Sequence, residues 1–170
     1  DHGLSYEMAQ ALIEGQFEVY YQPQLDLATG KPVVMEALIR WNHPVKGLLS
    51  ADQFVPLAER TGFIDQLDEW MLARVCRQLR EWIGKGRVPL RVALNLSMRT
   101  LKNLNVAEMS RRILRETGVP AHLLEMEVTE SWMMQQPEAT VRTLVQLKEL
   151  GISIALDDFG TGYSSLNYLK

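Results

Sequence analysis

Five oxygen-donor residues stand at comparable points along the chain: Glu36, Asn95, Glu127 and the adjacent pair Asp157-Asp158. Tandem carboxylates repel one another unless a proton or a cation separates them, so Asp157-Asp158 suggests a hard divalent ion. All five residues are oxygen donors with no His or thiolate among them, a set that selects Mg²⁺ or Mn²⁺ over zinc or copper. More than three acids around one mouth exceed what a single Mg²⁺ usually recruits, and a pair of ions bridged by Asp157 is the expectation. Taken singly, each is equally well read as a buried polar group satisfied by its neighbours, and an Asp before a Gly/Ser loop as a helix N-cap. Jointly, five unneutralised groups cannot share one site cheaply. Arg40 could hold a substrate phosphate in its fork, or pair with one of these acids.

Those residues need strands to aim them. Residues 152–157 form a β-rich run in which Ser153, Ala155 and Asp157 share one face and Ile152, Ile154 and Leu156 the other. The run opens into Phe159-Gly160-Thr161-Gly162-Tyr163-Ser164-Ser165, a glycine-punctuated loop able to hug a ligand or switch position. The same alternation recurs: Val92, Leu94 and Leu96 against Ala93, Asn95 and Ser97, and Leu124, Met126 and Val128 against Glu125, Glu127 and Thr129. Glu36, Leu38 and Arg40 alternate with Ala37, Ile39 and Trp41.

Earlier in the chain, residues 5–16 read as a helix capped by Ser5, and 17–27 and 33–41 as an antiparallel strand pair joined by a tight turn at Ala28-Thr29-Gly30-Lys31. A Gly-bearing loop follows Asn42-His43-Pro44, and helical stretches follow at 52–60 and 65–83. In the second of these, Trp70, Leu72, Leu79 and Trp82 form a core face. Strands at 91–97, 123–129 and 152–157 then alternate with helices at 107–117 and 138–150, the rhythm of parallel strands with crossover helices. A doubly wound sheet, covered on both faces, would show continuous apolar runs. One apolar face and one small or polar face describe a β/α barrel, with the active site at the strands' carboxyl ends.

Composition narrows the function classes. With 170 residues, 46% hydrophobic and 23% charged, the chain can bury a substantial core. A formal net charge of −3 disfavours binding to a DNA or RNA polymer. No apolar run approaches the roughly 18 residues of a spanning helix, and the first residues lack the regions of a signal peptide, so the expectation is a cytoplasmic chain without membrane contact. Cys76, the single cysteine, reads as a packing residue with no disulfide partner in the chain. His2, His43 and His122 do not cluster by spacing and read as surface or loop residues.

Met35-Glu36-Ala37-Leu38-Ile39-Arg40-Trp41 resembles the signature of the EAL domains, bacterial phosphodiesterases that hydrolyse cyclic di-GMP. The resemblance starts at Tyr20-Tyr21-Gln22-Pro23. It continues through Pro56-Leu57-Ala58-Glu59-Arg60-Thr61-Gly62, Asn95-Leu96-Ser97 and Glu127-Val128-Thr129-Glu130 to the run from Asp157 to Leu166. It implies a TIM-like (β/α)8 barrel with an antiparallel first strand, of which the first five strands are present. Residues 1–170 would then be the N-terminal two-thirds of one EAL domain, with 1–16 as leading helix and 17–170 as partial barrel.

The resemblance further implies that Glu36, Asn95, Glu127 and Asp157 hold one metal, while Asp157 and Asp158 contribute to a second. A water activated between two ions would open cyclic di-GMP to linear pGpG. Gln22, Leu38, Arg40 and Pro56 match positions that contact the nucleotide, with Arg40 on a phosphate, and Glu130 matches the residue that anchors the loop after Asp157. Family barrels continue with three more strands carrying a lysine, a further glutamate ligand and a glutamine. Residues 1–170 alone are therefore expected to be inactive. The implied partners are cyclic di-GMP, a second copy in a homodimer, and fused sensory or GGDEF-type domains. The alternatives are a cyclic di-GMP receptor without turnover, an interaction module working through its helices, and a barrel hydrolase using Glu127 and Glu36 as acid and base.

Overall fold

The computed structural model describes residues 2–87, 89–129, 138–158 and 163–165, with side chains described throughout except at 2, 157, 158 and 163–165. Alternating residues build one twisted sheet. Its strands are β1 (Phe17–Leu25), β2 (Pro32–His43), β3 (Gly47–Ser50), β4 (Arg91–Asn95), β5 (Leu124–Thr129), β6 (Ser153–Asp158) and β7 (Tyr163–Ser165). They lie in the order β1-β2-β4-β5-β6-β7, with β3 also paired to β2. β1 and β2 form the expected antiparallel hairpin, while β2, β4, β5 and β6 run parallel.

Helices cover one face. They are α1 (His2–Glu14), α2 (Val55–Thr61), α3 (Ile64–Gly84), α4 (Met98–Asn103), α5 (Val106–Thr117) and α6 (Glu138–Glu149). Against them the strands present Ala37, Val92, Leu94, Leu124, Met126, Val128, Ile154 and Leu156, all buried. α3 contributes Leu72, Val75, Cys76 and Leu79, α5 contributes Met109 and Ile113, and α6 contributes Leu144 and Leu147 to this core. The spacing of Leu72, Val75, Cys76 and Leu79 is that of one helical face. A second cluster joins Met8 and Ala11 of α1 to Phe17, Trp41, Phe54 and Leu67. Here the Phe17, Trp41 and Phe54 rings meet at centroid distances of 5.4–5.7 Å.

The structure corrects several boundaries. α1 starts at His2 rather than at a Ser5 cap, and Leu4, packing on the second cluster, carries the helix past the serine. β1 stops at Leu25, because Asp26 turns the chain: its Oδ1 accepts from the Ala28 amide at 2.8 Å, and its carbonyl from Gly30 at 2.7 Å. β4 stops at Asn95, and Ser97 caps α4 by accepting from the Arg99 amide. The stretch after Pro44 is no plain loop: it folds back as β3, pairing Trp41 with Leu49. With β7 set antiparallel on β6, the described strands number seven rather than five. β7 thus lies along the edge of β6 away from β5.

His43, expected at the surface or in a loop, is the buried last residue of β2. Its Nε2 lies 2.5 Å from Glu7 Oε2 on α1, and its Nδ1 accepts from the Val45 and Lys46 amides, so the ring ties the leading helix to the β2–β3 turn. His122 is exposed. Cys76 is a buried free thiol, as expected of a packing residue. No helix among the described residues is long and apolar enough to cross a membrane.

Candidate functional site

Register decides which side chains meet on the uncovered face. Glu36 is level with Ala93 on β4, and Ala93 with Glu125 on β5. One step toward the carboxyl ends, Asn95 is level with Glu127, and Glu127 with Ala155 on β6. One further step pairs Thr129 with Asp157. Since directly paired residues share a face, Glu36, Asn95 and Glu127 point to the same side of three adjacent strands. One row below, Arg91 Nη1 lies 3.4 Å from Glu125 Oε1, an ion pair flooring the face.

Among the described residues no three His, Cys, Asp or Glu side chains gather as a metal cluster. Glu36 and Glu127 supply two carboxylates and Asn95 an amide oxygen, a donor set suited to a hard cation. For Asp157 and Asp158 only the backbone course along β6 is described, and Glu130 lies outside the described residues.

Nucleotide-contact candidates occupy neighbouring positions. Gln22 is the cross-strand partner of Glu36, and Gln24 Nε2 donates to Glu36 Oε2 at 3.2 Å. Leu38 faces Tyr20 across the hairpin, and Arg40 faces Glu18. The Arg40 guanidinium lies 5.5 Å from the Tyr20 ring centroid, and its Nη1 donates to the Ile39 carbonyl at 3.0 Å. No salt bridge from Arg40 to the acids forms among the described residues.

Pro56, in the first turn of α2, stands across a cleft of about 920 Å³ from Asn95, Glu127 and Thr129. Glu36, Gln22, Leu38 and Arg40 do not line that cleft, so the candidates divide between the β1–β2 hairpin and the β4–β5 mouth.

The cleft also holds residues that sequence reasoning missed: Arg60, Asp68, Arg99 and Lys102. Arg99 Nη1 donates to the Glu59 carbonyl at 3.2 Å, and its guanidinium lies over Gly62. A β-carbon at Gly62 would come within 2.8 Å of Arg99 Nη2, and its φ of +87° already favours glycine. Asp68 of α3 accepts from the Ser97 amide at 3.1 Å and from Thr100 Oγ1 at 2.7 Å. Burial pushes the Asp68 carboxyl up to about 7; these hydrogen bonds oppose the rise, and the nearby Asp65 and Glu59 charges add to it. The signal for Asp68 was an acid one turn before Leu72, on the apolar stripe of α3.

With this geometry in view, similarity to known proteins is informative. A family model described as "EAL domain" matches residues 6–170. The chain is 48% identical over 164 residues to the cyclic di-GMP phosphodiesterase NbdA of Pseudomonas aeruginosa, which covers 96% of this chain and 21% of NbdA. It is 43% identical over 168 residues to the bifunctional diguanylate cyclase/cyclic di-GMP phosphodiesterase MucR of the same organism, covering 98% of this chain and 24% of MucR. The chain thus spans about a quarter or less of these relatives. A solved structure of the MucR phosphodiesterase in complex with c-di-GMP superposes with a TM-score of 0.87 at 41% identity, covering 98% of this chain and 68% of that one.

Proposed function

Since the chain belongs to the EAL domain family and has its TIM-like α/β fold, we propose that it serves metal-dependent hydrolysis of cyclic di-GMP to linear pGpG in bacterial second-messenger signalling. The observation carrying this reading is the set of oxygen donors on the uncovered face of three adjacent parallel strands, Asn95 and Glu127 level with each other and Glu36 one step below them. Their chemistry fits Mg²⁺ or Mn²⁺, and Asp157 and Asp158, at the end of the neighbouring strand, would complete the set and allow two ions. Bound there, the ions would supply an activated water and would neutralise charge on the reacting phosphate.

The chain's own residues do the rest. Arg40 presents five N–H donors and is suited to a phosphate of the dinucleotide, with Tyr20 holding its plane. Gln22 offers amide hydrogen bonds to a base edge, while Leu38 and Pro56 give apolar surface for the purines. Glu130 would hold the loop after Asp157. Residues 1–170 are read as part of one barrel domain, an assignment supported by the match of 98% of this chain to 68% of the solved MucR chain. The parent protein is proposed to be a homodimer with fused sensory or GGDEF-type domains, in keeping with the bifunctional name of MucR.

The test incubates the protein containing this chain with cyclic di-GMP and Mg²⁺, measuring binding and linear product separately. Product that vanishes with chelator and returns with Mg²⁺ or Mn²⁺ supports the reading. Binding without product makes the chain a receptor, and chelator-resistant turnover favours an acid–base pair such as Glu127 and Glu36.

A further inference from the structure

Asn95 sits at the last residue of β4, where the chain leaves the sheet through Leu96 and Ser97 into α4. A ligand on such a turn is only as well placed as the turn itself. One side is held by the sheet, the Leu96 amide donating to the Glu127 carbonyl at 2.9 Å. The other side is held by α3: Asp68 Oδ2 accepts both from the Ser97 amide and from Thr100 Oγ1. Thr100 is fully buried, and its hydroxyl also lies 3.2 Å from Asp65 Oδ1.

An acid on the apolar stripe of a helix costs stability, and the contacts of Asp68 reach the segment just after Asn95. On the foregoing reading of the site, we propose that Asp68 is a positioning residue: through Ser97 and Thr100 it fixes the turn that presents Asn95, and thereby sets the metal affinity of the site. Asp68 itself touches neither substrate nor ion. Its role differs from that of an ordinary cap such as Asn105, which accepts from the Glu108 amide at 3.1 Å on the outer helix α5.

The experiment uses the whole protein carrying this chain and reads Mn²⁺ affinity without substrate, amide hydrogen exchange at Leu96 and Ser97, and kcat and KM. Asp68→Ala removes the oxygen that accepts both bonds; Mn²⁺ binding is expected to weaken at least tenfold, with faster exchange at Ser97 and a fall in kcat larger than any change in KM. Asp68→Asn keeps a carbonyl oxygen able to accept both bonds, and is expected to remain within about threefold of wild type. Asn105→Ala should lower stability and leave Mn²⁺ affinity unchanged. If Asp68→Ala does not fold, Thr100→Val decides, removing one bond at nearly constant volume: a several-fold loss of affinity supports the role, and none overturns it. Wild-type Mn²⁺ affinity and Ser97 protection in folded Asp68→Ala would also overturn it. Should wild type itself bind no Mn²⁺, the metal reading fails, and Ser97 exchange alone then decides whether Asp68 anchors the turn.

Discussion

At the scale of single residues, Glu36 and Glu127 carry the proposed chemistry, and both are only partly exposed on a face the helices do not cover. Replacing either by Ala removes a carboxylate without opening a hole in the core, so turnover should fall while the melting temperature stays near wild type. More than about a tenth of the wild-type rate, a barrier change under about 1.4 kcal/mol, would argue against a ligand role. Asp68 carries a different signature. Its carboxyl, pushed up to about 7 against an ordinary value near 3.8, favours the folded state when protonated. That contribution is complete below about pH 4 and is lost as pH rises through about 7. Denaturant unfolding of wild type and Asp68→Asn should therefore show the variant gaining relative stability between pH 4.5 and 7.5, on the order of 1 to 4 kcal/mol. A constant difference across that range would contradict the burial described for Asp68.

At the scale of elements, the strands' alternation was readable because each has one face against helices and one without cover. Leu124, Met126 and Val128 face α3, α5 and α6, and Glu125, Glu127 and Thr129 face away, as expected. Strand ends were less legible, since Asp26 and Ser97 end β1 and β4 through local hydrogen bonds that periodicity does not register. β3 is four residues long, too short for a pattern, and exists because β2 extends to His43 and offers it an edge. The burial of His43 depends on Glu7, 36 residues away, and the anchoring of the Asp68 carboxylate on Thr100, 32 residues away, and no local spacing announces either. The aromatic cluster that seats α1 on the hairpin has a direct check. Trp41 is fully buried against Phe17 and Phe54 and donates to Gln16 Oε1 at 3.0 Å. Trp41→Ala should cost about 3–5 kcal/mol in chemical denaturation. A loss under 1 kcal/mol would mean that the cluster contributes little to the fold.

At the scale of the whole molecule, the described strands form an open sheet, with β1 at one end and β7 at the other. A β/α barrel closes with eight strands in consistent shear, and in-line attack needs two ions about 3.5–4 Å apart. If the proposed reaction needs that closure, residues 1–170 by themselves should turn over cyclic di-GMP far more slowly than a polypeptide whose sheet closes. Purified side by side, rates within about tenfold of each other would show that these strands suffice. Whether the uncovered face of β2, β4 and β5 holds the proposed catalytic ions can be read from anomalous diffraction of Mn²⁺-soaked crystals of a protein carrying this chain. A Mn²⁺ peak about 2.0–2.3 Å from oxygens of Glu36, Asn95 and Glu127 is expected. Active crystals whose Mn²⁺ lies away from all three side chains would contradict it.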